Sequence, residues 1–393
     1  MVVTTALVTL LVAGGASLFM AWAIGAGSSG STPFAPAVGA NAITVMRAGF
    51  VVGILGLAGA VFQGANVSEA VGRELILGPP LTPTAVVIAL LTAAILVAVG
   101  VYAGYPIATA FTVTGAVVGA GLALGGGPAW AKYRQIVSLW VLTPVVGGGV
   151  AYVTARLLRR QGADRWVVPV LGGLVGLVLA NVRFGFFGPA GQGRSLAVAL
   201  GGSLPLSTPI DRVVVSLVLA VALGLVLAHE MRVDAKRAER RFLLGLGGLV
   251  AFSAGGSQVG LAVGPLLPLV GGSVSIVWVL AGGGVGLLVG SWTGAPRMIK
   301  ALAQDYSSLG PRRSIAALIP SFALAQAAVF LGVPVSFNEI IVSAIIGSGF
   351  AAGGSSVSTR KMAYTVLAWI GSLVLAGVVA YGAFVVVTAV ESV

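Results

Sequence analysis

The run from Val2 to Ile24 contains no charged residue. At about 1.5 Å of rise per helical residue it is long enough to cross a hydrocarbon core of about 30 Å. Comparable apolar runs follow at about 48–62, 85–101, 107–124, 136–157, 166–180, 213–228, 242–254, 274–289, 315–331, 340–350 and 362–387. A soluble domain has roughly a quarter of its residues charged and keeps them wet. Here 8% are charged, 58% are hydrophobic and the mean hydropathy is +1.07. Such a surface must face lipid, so the chain reads as an all-α polytopic membrane protein with about 10–12 transmembrane segments. The first run is too long for a signal-peptide core and lacks a basic flank, which predicts a retained span.

Several function classes fall away at once. With no cysteine and one histidine, neither a thiolate or histidine metal site nor a cysteine nucleophile is expected. Glu69 and Glu339 are the acids that fall inside hydrophobic stretches, too few for the acid, base and metal of an embedded enzyme. No enzymatic activity and no cofactor is expected. The 22 basic residues outnumber the 10 acidic ones, but they lie in short loops between spans. That is the positive-inside pattern of a protein whose partner is a lipid bilayer, not a nucleic acid. The basic stretches 156–165 and 232–241 are expected in the cytoplasm, and the plasma membrane is the expected location. A homo-oligomer is compatible with this pattern.

The chain also repeats itself. Gly25-Ala26 and the serines after them are echoed by Gly255-Gly256-Ser257. Tyr105-Pro106-Ile107 is echoed by Val333-Pro334-Val335, and Trp140 with Thr143 by Trp369 with Ser372. All three offsets are close to 230 residues, and agreement in spacing outweighs any single match between residues this common in membrane helices. Lys132 and Arg134 precede the Trp140 span as Arg360 and Lys361 precede the Trp369 span. If 156–165 and 360–361 are both cytoplasmic, the halves have opposite orientation. The expected organisation is a first inverted repeat at 1–165, central spans and a basic connection at 166–241, and a second inverted repeat at 242–393.

Candidate site residues cluster where the apolar pattern breaks, because backbone that leaves the helix at bilayer depth must be buried in protein or line water. The first break, 25–36, offers Gly25, Ser28, Ser29, Ser31 and Thr32. If Ser31 or Thr32 caps a half-helix near Pro33, its free amides make an anion cradle. The second, 253–260, offers Gly255, Gly256, Ser257 and Gln258, with Gly255 allowing close backbone approach to the anion. The third and fourth follow Pro106 and Pro334 and offer Thr109, Ser336 and Asn338 on broken, re-entrant half-helices that present their positive ends. Glu339 is an ionisable group in an otherwise apolar span, suited to a coupling proton or cation. Glu69 has a weaker claim to that role, since Arg73 can pair with it across one turn.

At these breaks the sequence resembles the inorganic phosphate transporter (PiT) family, whose hallmark is a GANDVANA-type stretch in each half. Residues 252–266, FSAGGSQVGLAVGPL, resemble its FAHGANDVANAIGPL, and 25–44, GAGSSGSTPFAPAVGANAIT, resemble the first copy more loosely. Residues 105–109 and 334–336 resemble its PVSTTH elements, and Trp140 with Thr143-Pro144 its W..SP element. The resemblance covers nearly the whole chain. It implies inverted repeats, a central oxyanion site, and symport of inorganic phosphate with Na⁺ or H⁺ by alternating access. The motif Asn and Asp are replaced by Gly27 and Ser28 in one half and by Ser257 and Gln258 in the other. Loss of both Asp residues weakens the expectation of Na⁺ as coupling ion. The pattern is also similar to PiT-type sulfate permeases, which makes H⁺-coupled sulfate transport the alternative.

Overall fold

The computed structural model describes residues 2–187, 193–205, 207–270, 274–306, 308–353 and 357–391. Among the described residues, ten helices are long and apolar enough to cross a membrane. Two shorter apolar helices, Thr109–Ala123 and Phe337–Phe350, lie buried among them. These two occupy the runs expected as spans at 107–124 and 340–350. At 15 and 14 residues they reach about 22 Å, too short to cross.

One series of elements occurs twice in the same order. A long helix (Val2–Ile24; Ala235–Val263) is followed by a short one (Ala35–Gly39; Leu267–Val270) and then a span (Val45–Gln63; Ile276–Thr293). Next come a short amphipathic helix (Ala65–Arg73; Ala295–Gln304), a span (Pro83–Ala103; Pro311–Leu331), the half-length helix, and a final long helix (Trp130–Leu158; Thr359–Glu391). Asp164–Asn181, Leu196–Gly201 and Ile210–Val233 lie between the two series. Both spans before the half-helices begin with proline at the first helical position, where no amide donor is needed. Both end on a glycine in the left-handed region, Gly104 at φ +74° and Gly332 at φ +60°. This stops the helix and turns the chain into the extended link that carries Pro106 or Pro334.

The ends of the two series are marked by the same ion pair. Lys132 binds Glu74 at 2.7 Å, and its equivalent Lys361 binds Asp305 at 2.5 Å. Lys132 starts a 29-residue helix, about 43 Å long. At its far end the carbonyl of Leu158 accepts from Arg312, and Arg312 opens the span that follows Asp305. The two lysine pairs therefore lie at opposite ends of the bundle.

Packing is reciprocal as well. Thr109–Ala123 lies on the final long helix of the second series, and Phe337–Phe350 on that of the first. A Cβ on Gly119 would collide with the backbone of Gly377, and one on Gly347 with that of Gly148. In lipid, where apolar side chains gain little by leaving solvent, such small-residue contacts are the main source of helix adhesion.

Two of the expected breaks take another form. Residues 253–260 lie inside the continuous helix Ala235–Val263. Their small residues serve a helix crossing, since a Cβ on Gly255 would strike the Gly56 carbonyl. Residues 25–29 continue the first helix as a π-helical turn, and Gly25 meets the Leu287 carbonyl in the same way. The helix that follows, Ala35–Gly39, is a single turn whose N-cap is Phe34, with no side-chain cap. Ser31 and Thr32 donate instead to the carbonyl of Ser28, at 3.2 and 3.0 Å. A lone turn gains less from a cap than these buried hydroxyls gain from the carbonyl one turn behind them.

Candidate oxyanion site between the half-helices

The links at 105–108 and 333–336 bring the starts of both half-helices deep into the bundle. The first intrahelical bonds run from Thr112 N to Ala108 O and from Ile340 N to Ser336 O. The amides before them have no partner within the helix, and their positive ends face inward. Trp140 Nε1 donates to Pro334 O at 2.9 Å, and Trp369 Nε1 to Pro106 O at 2.8 Å. Each link is thus held by the tryptophan of the other series.

Around these starts lies a polar cluster drawn from four separate segments. Gln258 Oε1 accepts from Ser28 Oγ at 3.1 Å and from Thr109 Oγ1 at 2.7 Å, while its Nε2 donates to Val335 O at 2.6 Å. Asn338 Nδ2 donates to Gly27 O at 2.8 Å and to Ile107 O at 2.7 Å. Ser28, Thr109, Gln258, Ser336 and Asn338 have no exposure at all, and Glu339 is 1% exposed. Burial of polar groups in an apolar bundle is costly unless each is paired. Here Ser29 Oγ, Ser257 Oγ, Ser336 Oγ, Asn338 Oδ1 and Glu339 Oε2 have no protein partner. The unpartnered set contains hydroxyl donors, an amide acceptor and a carboxyl group. Such groups, with free helix amides, are of the kinds that bind an oxyanion and accept its proton.

The structure brings Ser28, Thr109, Gln258, Ser336 and Asn338 together, with Ser29 and Ser257 beside them in the chain and Glu339 in the first turn of its half-helix. It places other candidates elsewhere. Gly25 and Gly255 lie at helix crossings, and Gly256 lies against Gln63. Ser31 and Thr32 are buried but engaged with Ser28 O. Glu69 is on a half-exposed helix face, paired with Arg73 at 3.0 Å, and does not join the cluster. An acid with water available on a surface helix turns to solvent and to the cation one turn on.

Sequence reasoning passed over Gln63 and Gln326. Gln326 Nε2 donates to Ser253 Oγ at 2.6 Å and to Gln63 Oε1 at 3.2 Å. The signal was present, because an amide inside an apolar run requires a partner. The roles of the Gly27, Ile107 and Val335 carbonyls have no signature in side-chain identity.

Residues 24–380 match the family model described as "Phosphate transporter family". The chain is 29% identical over 389 residues to the Pyrococcus furiosus protein named "Putative phosphate permease", covering 92% of each. It is 25% identical over 409 residues to "Inorganic phosphate transporter 2-1, chloroplastic" of Arabidopsis thaliana, covering 90% of this chain and 68% of that one. Its fold matches a solved structure titled "The sodium-dependent phosphate transporter" with a TM-score of 0.81 at 21% identity, over 97% of this chain and 99% of the other. With ten apolar spans among the described residues and a family match that runs almost end to end, the chain is an integral membrane protein that belongs to the phosphate transporter family and is not an enzyme.

Proposed function

We propose that this protein is a secondary active transporter that carries inorganic phosphate together with a cation by alternating access, from a site between two inverted halves. The observation that carries this reading is the buried cluster of Ser28, Thr109, Gln258 and Asn338 at the meeting of the half-helices, with unpartnered polar atoms on Asn338 and on its chain neighbours Ser336 and Glu339 inside an apolar bundle. Inversion is supported by the reciprocal tryptophan bonds and by equivalent ion pairs at opposite ends. A channel would need a continuous wet path, whereas Ser28, Gln258 and Thr109 bond directly to one another and bar the way. An anion must replace those bonds, and the half-helices must move to admit it.

Phosphate is favoured over sulfate by the acceptors. Hydrogen phosphate has an O–H to give to Asn338 Oδ1 or Glu339 Oε2, and sulfate at neutral pH has none. Sulfate remains the alternative, since the hydroxyls and amides would serve either anion. As coupling ion a proton fits the residues better than Na⁺. Gln258 and Ser28 stand where the family has carboxylates, and Gln258 Oε1 is already held by two hydroxyls. Glu339 is the cluster's ionisable group, and a carboxylate at that depth calls for a neutralising proton or cation. The plasma membrane suits such a permease.

The test is uptake of labelled phosphate and sulfate into proteoliposomes with Na⁺ and pH gradients imposed separately. Phosphate accumulation driven by the pH gradient is the expected result. Accumulation of sulfate alone would select the alternative, and accumulation of neither anion under any gradient would reject transport of both.

A further inference from the structure

A cavity of about 1140 Å³ opens between the central spans and the rest of the bundle. Its walls include Arg183, Arg194 and Arg212, all exposed, and its floor is formed by Gln63 and Gln326, which are 6% and 9% exposed. The helices Asp164–Asn181 and Ile210–Val233 separate these arginines from the basic stretches at 156–165 and 232–241. If those stretches are cytoplasmic, the three arginines lie outside, against the usual bias, and call for a reason of their own.

Among the described residues no carboxylate pairs with any of the three guanidinium groups. Asp211, next to Arg212, is 5% exposed, and its Oδ1 accepts from the backbone N–H of Arg212 at 2.7 Å. Arg183 lies over the Phe330 ring at 4.6 Å, and its carbonyl accepts from Gln63 Nε2 at 2.9 Å, which fixes it at the rim of the floor. Beneath the floor, Gln326 bonds Ser253 at 2.6 Å. Ser257, with its unpartnered hydroxyl, is one helical turn further on, and Gln258 follows. From Ser253 to Gln258 is about 7 Å along the helix axis. The cavity therefore reaches one side of the helix Ala235–Val263, where Gly256 meets Gln63, and the nearly opposite side of that helix carries Gln258 and the polar cluster.

We propose that this cavity is the outward-facing vestibule for the transported oxyanion, with Arg183, Arg194 and Arg212 concentrating the anion above a floor closed by the Gln63–Gln326 amide pair. The assignment rests on the transport reading above. A cleft lined by one sign of charge and walled by low-dielectric material raises local counter-ion concentration and association rates by about 10–10³-fold. The apolar share of the wall focuses those field lines into the cavity.

Because the chain has no cysteine, Ala327→Cys on the cavity wall provides a single reporter thiol in the full-length protein. The protein is reconstituted in phosphatidylcholine vesicles and labelled with membrane-impermeant methanethiosulfonates, one anionic and one cationic. Each rate is divided by the rate at Leu77→Cys, an exposed position outside the cavity. The anionic reagent is expected to be favoured by about tenfold. The preference should fall at high ionic strength and disappear when all three arginines are changed to Gln, and it should persist when they are changed to Lys. Millimolar phosphate should slow labelling. Equal normalised rates in the unmodified background overturn the proposal. So does protection by phosphatidylglycerol in the vesicle without protection by free phosphate, which would make the cavity a lipid-headgroup site. Labelling needs no transport, so its failure is distinguishable from failure of uptake.

Discussion

Trp140 donates its indole N–H to the carbonyl of Pro334 at 2.9 Å, 194 residues away in sequence, and Trp369 makes the same bond to Pro106 at 2.8 Å. Each half thus restrains the half-helix link of the other. Ser336, Asn338 and Glu339, each with an unpartnered buried atom, end or follow the second link, so the bond to Pro334 holds the segment that carries them. Trp140 also stacks on Phe111 with ring centroids 3.7 Å apart, which ties one tryptophan to both half-helix starts.

Replacing Trp140 or Trp369 by Phe removes one donor from a buried carbonyl and keeps an aromatic ring. The cost is about 1–3 kcal/mol for each. Both variants should lower the midpoint of thermal unfolding in detergent and slow phosphate uptake to a similar degree. A defect confined to one of the two would show that the reciprocal bonds are not equivalent in function.

Gln258→Leu deprives Ser28 and Thr109 of a shared acceptor and Val335 O of its donor. Several buried polar groups then lack partners at about 1–3 kcal/mol apiece. The variant should be the least stable of the single substitutions in the cluster and should not transport. Gln258→Glu, which keeps the acceptor, should recover the thermal midpoint in part.

Glu339→Gln should abolish gradient-driven phosphate uptake and leave exchange of internal for external phosphate, because the amide preserves shape and removes the proton carrier. Counterflow of labelled phosphate against uptake under a pH gradient separates the two activities. Coupling that is unchanged in the Gln variant would reduce Glu339 to a helix N-terminal charge.

Glu69→Gln should alter neither stability nor transport beyond measurement error. The Glu69–Arg73 pair is half exposed, and exposed ion pairs contribute about 0–1 kcal/mol. A loss of coupling in this variant would bring Glu69 back into the mechanism.

Gly255→Val should prevent stable assembly, since the added side chain meets the Gly56 backbone within a helix crossing. Size-exclusion behaviour in detergent reports this directly. A well-folded variant that fails only in transport would return Gly255 to the anion's path.

Membrane class, helical architecture and duplication follow from the chain alone. Runs without charge can satisfy their backbone in lipid only as helices, and matched Gly, Pro and Trp at a constant offset near 230 residues mark the repeat. Pro106 and Pro334 also locate the links, because each comes two residues after a glycine, Gly104 or Gly332, that can stop a helix in the left-handed region, and proline then keeps the chain from resuming it at once. The short amphipathic helices Ala65–Arg73 and Ala295–Gln304 escaped notice because their alternation of polar and apolar residues resembles that of a loop between spans.

Which small polar residues form the site was decided only in three dimensions. Glycine and serine serve equally for helix crossing and for anion contact, and the sequence around Gly255 reads the same in either role. The fold turns Gly255 toward Gly56 and Gln258 toward Ser28 and Thr109. The 100° rotation between successive residues of a helix also sets Gly256, against Gln63, and Gln258, against Ser28 and Thr109, on nearly opposite sides. Sequence determined what had to be buried in lipid; the meeting of two half-helices from distant parts of the chain decided which polar atoms were left there without a protein partner.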